Sequence, residues 1–434
     1  MKPRFLLVTT ICVALLLALS TTVLGGAWKG TITIWDCPRW RDANDNQYHW
    51  MERKIAEFES SHPGVKIEMI KVPWAELAEK LNIAIAARDW PDMAPIDISG
   101  GTVKLDHIDQ GVLEPIDPFF PKDELADFFP AALEGYTYKG KIWGVPQAMT
   151  VHALLLNLDI FKERGVEPPE NGRWTWDEFV EKMKKLTFDR DGDGKIDVYG
   201  FSTYVLKGYH EIFPMLFMDG ATWFDEARNW NLNTPEAVSA LKKIAALKFE
   251  HKVTPQTMGT ADVGGTFQAF ANPEQRTVAV EPWASWAIAT CLTSPKYKMN
   301  FMVAEYPIGK RGKPITISGT GGFVVFKQKD KGKLETLMEF VKSITTTADQ
   351  LEFAKNYGTF PARKSAQEAD PFADTPQMAF AAKMMEYTIS VPRHKEFMQI
   401  DDRLQAELQL VFNGEKTPEQ ALEDAHRAIK RYLK

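Results

Sequence analysis

Residues 140–161, GKIWGVPQAMTVHALLLNLDIF, constrain this chain more than any other stretch. They carry two apolar runs, 142–145 and 151–158, joined through Pro146 and a short polar segment. Proline fixes φ and gives no N–H to a sheet, and the flanking Gly140 and Gly144 permit tight bends. The second run is apolar at nearly every position, as in a strand covered on both faces. The stretch reads either as a buried hairpin or as the place where the chain leaves one α/β lobe and enters another, with a cleft between them.

Length favours the second form. A chain of 434 residues exceeds what one small core organises, so two lobes are expected. The formal net charge is −6, and the absence of an Arg-rich run or basic stripe argues against nucleic acid as a partner. Thirteen Trp are many; some must be core, but an indole face also suits a flat sugar ring.

Residues 1–27 read as an export signal: Lys2 and Arg4, an apolar run over 5–19, then Gly25-Gly26-Ala27. Cleavage near Ala27 leaves a mature chain of net charge −8 with no apolar run long enough to span a bilayer. Cys12 leaves with the signal and is badly placed for lipid attachment, so the product is expected free in a periplasm. Cys37 and Cys291 remain, and spacing alone does not say whether they pair.

Strand and helix alternate after that. TITIW (31–35) is a β-branched strand, 48–59 has helical spacing, VKIEMIKV (65–72) alternates, 74–87 is amphipathic and 93–98 is a strand. Thr175 with Glu178 forms a capping box for a helix over 176–186, and Pro235 after Thr234 opens another to about 249. Residues 276–286 form a strand and turn, and 323–326 a buried strand after the flexible run 318–322. The remainder from 334 is mostly helical. Such alternation predicts an α/β fold whose mainly parallel sheets place ligand groups at strand ends.

The order of motifs resembles the extracellular solute-binding proteins of ABC importers, the family that includes the maltose-binding protein. TITIW, FESSHPGVKIE, GVLEPID, KGKIWGVP, the 154–187 segment, FANPEQRTVAVEPWASW, GTFPARKSA and NGEKTPEQALEDAHRAIK follow one another along nearly the whole mature chain. The resemblance implies a two-lobed periplasmic-binding-protein fold of the second type, with crossing hinge segments. The lobes are 28–148 with 304–349, and 149–303 with 350–434. It implies a monomer that closes on a carbohydrate, passes it unaltered to the permease and needs no cofactor.

The expected ligand groups follow. Trp35, Asp36 and Trp40 come from the first strand's loop, and Asp97 from a strand end, where a carboxylate accepts several hydroxyl bonds. By resemblance, Met149 and Thr150 occupy a cleft position that often holds a carboxylate, and His210, beside Tyr209, replaces a stacking aromatic. Trp283 in VEPWASW matches a sugar-stacking indole, and Glu281 replaces a smaller polar residue. Trp223 suits a platform in an exposed loop, Gly319 permits close backbone approach, and Arg363 would close the cleft against Asp36 or a ligand oxygen.

The segment 189–200, DRDGDGKIDVYG, copies the first eight positions of a calcium loop. Asp189, Asp191, Asp193, the Lys195 carbonyl and Asp197 are the expected ligands of a structural ion, although Gly200 stands where a bidentate Glu belongs. A polar surface turn is the alternative. Two rival functions are a secreted carbohydrate-active enzyme and an iron or phosphate binder. The enzyme needs two carboxyls flanking one bond, and nothing marks Asp97 and Glu281 as such a pair, so a binder and not an enzyme is expected. The iron or phosphate binder needs clustered Tyr or Arg, and the tryptophan excess argues against it.

Overall fold

The computed structural model describes residues 28–96, 105–224, 230–392 and 396–433. The first strands are β1 (Gly30–Asp36), β2 (Val65–Lys71) and β3 (Met93–Ile96), followed by a small hairpin of β4 (Thr137–Tyr138) and β5 (Lys141–Ile142). The long β6 (Val145–Asn157) precedes β7 (Tyr199–Phe201), β8 (Val278–Ala284) and β9 (Phe301–Ala304). Then come β10 (Thr316–Val325), β11 (Phe360–Pro361) and β12 (Thr388–Ser390). Helices flank the sheet, whose order is β2-β1-β3-β10-β6-β8-β7, with β9 and β11 also on β6 and β12 on β10.

The expected α/β alternation is present, and β1 with β2, β1 with β3, and β7 with β8 run parallel. The long middle strands run antiparallel to their main neighbours, so the sheet is mixed. Of the two apolar runs around Pro146, the first is split, with Ile142 ending β5 and Val145 opening β6. That strand then continues without a break through Pro146 and the second run to Asn157, every residue buried. The register between β10 and β6 shifts where Gly321 faces Ala148 but Gly322 faces Pro146. That shift absorbs a proline with no N–H to contribute. The glycines expected in a flexible run lie inside β10 itself. A Cβ on Gly322 would stand 2.0 Å from the Val145 carbonyl oxygen, so only glycine lets the strands approach this closely.

β6 serves both ends of the molecule. Residues from Val145 to Val151 pair with β10, and those from His152 to Leu156 pair with β8. Its alternating side chains feed two cores: Val151, Ala153 and Leu155 enter the core of Trp50, Phe323 and Phe353, whereas Leu154 and Leu156 enter that of Phe179, Phe213 and Leu404. The capping box is formed, with Glu178 N donating to Thr175 Oγ1 at 3.3 Å and Thr175 N to the Glu178 carboxylate at 2.8 Å. The helices Trp74–Ala87 and Pro235–Phe249 fall where their patterns placed them. Among the described residues no disulfide joins Cys37 to Cys291, both of which are buried, and no helix is long and apolar enough to cross a membrane.

Candidate functional site

Where β6 changes partners, polar groups gather in an otherwise apolar interior. Alternation puts Thr150 and His152 on one face of the strand, both buried. The segment after β7 brings Tyr204, Tyr209, His210 and Glu211 towards them. It is pinned from two sides: Tyr306 Oη donates to the Glu211 carbonyl at 2.9 Å, and Gly208 N donates to Asp401 Oδ2 at 2.7 Å. Asp401 and Gln405 sit one turn apart on the buried side of the helix Phe397–Phe412, and Gln405 Nε2 donates to the Tyr209 carbonyl at 2.6 Å. β8 adds Glu281 and Trp283, whose Nε1 donates to Glu281 Oε2 at 3.0 Å.

The groups join through short contacts. His152 Nε2 lies 3.5 Å from Glu211 Oε1, and His210 Nε2 lies 3.6 Å from Asp401 Oδ1. The Tyr204 ring is 5.2 Å from Trp283 and 5.4 Å from Tyr209, whose ring is partly in solvent. His152 Nδ1 faces the Ile317 carbonyl at 3.3 Å, which assigns that nitrogen its proton. Several buried polar atoms here make no hydrogen bond of good geometry: Thr150 Oγ1, Tyr204 Oη, His210 Nε2, Glu211 Oε2 and Glu281 Oε1. Groups of this kind are costly to bury unless something else completes them.

The acids are not alike. Burial pushes Glu281 well above the ordinary carboxylate range, and the single Trp283 N–H only partly offsets it, so burial favours the protonated form, which has an O–H to donate. Burial acts on Glu211 in the same sense, but the bond and charge of His152 and the nearby Tyr204 hydroxyl outweigh it and hold the carboxyl below its ordinary value. Tyr204 is raised by burial and then by Glu211, and keeps its proton. The cluster therefore offers an acid O–H, a phenol O–H, a carboxylate and indole and phenol rings. That set suits a ligand rich in hydroxyl groups.

The sequence-predicted residues fare unevenly. Thr150, His210, Glu281 and Trp283 lie in or beside this cluster, with Gly319 opposite Thr150 across the β10–β6 ladder. Met149 turns the other way, into the apolar core. Asp97 lies outside the described residues. The four indoles expected to line one opening stand apart. Trp35 is half-buried against the core of Val72, Leu81 and Phe326, while Trp40 sits half-buried against Phe353 at 5.2 Å. Trp223 is 2% exposed between Phe213, Phe217 and Phe397, because its loop folds inward instead of standing out. Trp283 is fully buried, enclosed by Tyr204, Phe267 and Trp286, so its ring is not an open platform.

Two charged residues are already engaged. Asp36 is fully buried and takes both guanidinium nitrogens of Arg39, one at 2.7 Å; Arg39 itself lies over Trp50 and Phe353. Arg363 pairs with Asp127 at 3.1 Å and Glu124 at 3.2 Å and donates to the Thr345 carbonyl, not to Asp36. Buried charges need such partners, and these two find them within their own neighbourhoods. Sequence reading missed Arg39, His152, Tyr204, Glu211 and Asp401. Asp401 and Gln405 did leave a signal, as polar residues on the stripe of Ile400, Leu404 and Leu408.

In the 189–200 segment, carboxylate oxygens of Asp189, Asp191 and Asp197 lie within 4.8 Å of one another. Asp193 is turned aside, accepting from Lys195 N at 2.8 Å and facing Lys195 Nζ at 3.3 Å. Asp189 accepts from Gly192 N and Gly194 N, both at 2.7 Å, which lowers its pKa.

Residues 54–380 match a family described as bacterial extracellular solute-binding protein. A binding protein of Brucella abortus is 25% identical over 389 residues, 87% of this chain and 88% of its own. The maltotriose-binding protein of Pyrococcus abyssi is 24% identical over 327 residues, 74% of this chain and 65% of its own. The ABC substrate-binding protein of Listeria monocytogenes, solved in complex with cycloalternan, superposes with a TM-score of 0.75 over 93% of this chain and 99% of that one, at 22% identity.

Proposed function

The chain belongs to the bacterial extracellular solute-binding proteins, and from that premise we propose that it is the receptor of an ABC importer, binding an oligosaccharide and delivering it unaltered to the permease. The observation that carries this reading is the buried cluster at the change of partners on β6, where Tyr204 and Glu211 face each other without a well-formed bond and Glu281 Oε1 has no partner, beside the Trp283 indole. Relatives named for maltotriose and for arabinooligosaccharides support the ligand class. In this reading the two bodies are 28–148 with 304–349 and 149–303 with 350–434. They hinge where β6 and β10 cross, and the monomer works in the periplasm after loss of residues 1–27.

Titration with maltotriose and arabinotriose, followed by tryptophan fluorescence and by chromatography of the sugar, tests the proposal. Saturable change with the sugar recovered intact supports it. Shortened products would favour a hydrolase instead, since a carboxyl of raised pKa, Glu281, and one of lowered pKa, Glu211, are the pair such an enzyme needs. No response to any neutral sugar would remove the carbohydrate reading.

We further propose that Asp189, Asp191 and Asp197 hold a structural calcium ion, with the Lys195 carbonyl completing the set and Asp193 turning in to join. Calcium is expected to raise the melting temperature of chelator-treated protein, and Asp189→Asn to abolish that rise. Equal melting with and without calcium would leave the segment a polar turn.

A further inference from the structure

A second groove lies apart from the cluster on β6, between residues 168–174, the chain just after β9, and residues 380–387. It encloses about 1050 Å³. Glu305 stands in its wall and is 2% exposed. Its Oε1 accepts from Arg173 Nε at 2.9 Å and from Tyr387 Oη at 2.7 Å, while its buried Oε2 has no partner. The wall is built, not incidental. Trp174 Nε1 donates to the Glu305 carbonyl at 2.8 Å, and Glu305 N donates to the Gly172 carbonyl at 2.9 Å. Gly172, at φ 72°, presses so closely on Phe380 that a Cβ would stand 2.5 Å from the ring.

The lining indicates what the groove would take. Acids (Glu170, Glu178, Glu305, Glu386) and bases (Arg173, Lys182, Lys383) both line it, Glu178 being engaged in its helix cap and Glu305 with Arg173, so hydrogen-bond donors and acceptors are both at hand. Met302, Phe380 and Tyr387 are half-buried and offer apolar and ring surface within the same wall. Rings beside paired charged groups suit the flat apolar face and hydroxyl edge of a sugar. The volume reaches the top of the ordinary range for ligand pockets, roughly 300–1000 Å³, which favours several rings over one.

We propose that this groove is a second carbohydrate site, taking a neutral oligosaccharide whose hydroxyls meet Arg173, held in place by Glu305, and the exposed Glu386, and whose ring lies on Tyr387. The inference stands on the groove's own chemistry and is independent of what the cluster on β6 binds.

Hydrogen–deuterium exchange of the full mature chain, with maltotetraose and arabinotriose as probes, tests it. Slowed exchange is expected in 168–174 and 380–387, saturating at a concentration that Glu281→Gln does not change. Tyr387→Ala is expected to raise the half-saturating concentration there about tenfold, from loss of the ring. Tyr387→Phe, which keeps the ring and guards against misfolding, is expected to raise it a few-fold, through loss of the hydroxyl that orients Glu305. If neither sugar slows exchange in these segments, if spermidine does so in their place, or if both variants respond as the parent does, the proposal fails. Protection at β6 without protection here overturns this inference alone; the reverse result spares it and removes the carbohydrate reading of the cluster.

Discussion

At Glu281 and Glu211 the same physical cost, burial of a carboxyl, ends in pKa shifts of opposite direction because only one of them has a histidine beside it. The sign of each pH effect follows. Glu281 holds its proton more tightly folded than unfolded, so its contribution is fully present below the ordinary pKa of about 4.5 and is lost as pH rises through the raised folded value. Glu281→Gln keeps an acceptor for the Trp283 N–H and has no proton to lose. It is expected to stabilise the protein at pH 8 and to change its stability little at pH 4. Denaturant melts at the two pH values check this, and equal gains at both would contradict it. Glu211 behaves in reverse: its contribution is present above the ordinary value and lost as pH falls through the lowered one. Glu211→Gln is expected to cost about 1–3 kcal/mol at pH 7 and less at pH 4, read in the same melts. Neither shift was legible in the sequence. Glu281 reads there as a polar neighbour of Trp283, and Glu211 as one more acid after His210. What decides them is the desolvation around each, together with a histidine that reaches Glu211 from β6.

Local pattern fared better than long-range placement, and the reason lies in what each element needs. The box at Thr175 and Glu178, and the apolar spacing of Trp74–Ala87, are settled within a few residues, so sequence reading finds them. β10 was misjudged because SGTGG has a loop's composition; it is a strand because Val145 passes too near for any side chain. The indoles misled for a related reason. Trp223 looks exposed beside Asp219-Gly220, yet the three phenylalanines that cover it come from segments as distant as 397. The glycine argument carries its own test. Gly322→Ala places a methyl against backbone that has no rotamer to yield, and the expected cost is about 1–3 kcal/mol. Urea denaturation measures it, and a loss below about 0.5 kcal/mol would show that the two strands separate more easily than their spacing implies.

The whole molecule differs from two domains on a string because β6 and β10 belong to both ends at once. β6 supplies the ladder for β10 and β11 through one part of its length and for β8 and β9 through the other, and β10 likewise joins β3 at one end and β12 at the other. Each core also draws side chains from opposite faces of β6. Unfolding either end strips the other of a central strand, so the two ends cannot melt independently without a large loss of burial. Differential scanning calorimetry is therefore expected to give one transition, with calorimetric and van't Hoff enthalpies close to each other. A saturating sugar adds about 2.7 kcal/mol at a hundred times its Kd, and it should move that whole transition upward without splitting it. Two peaks in the free protein, of which sugar shifts only one, would mean that the crossing strands act as linkers and do not form a shared spine. The same strands that unify stability also bear on the proposed closure: in that reading the bend falls where β6 and β10 change partners, near Val151 and Ser318.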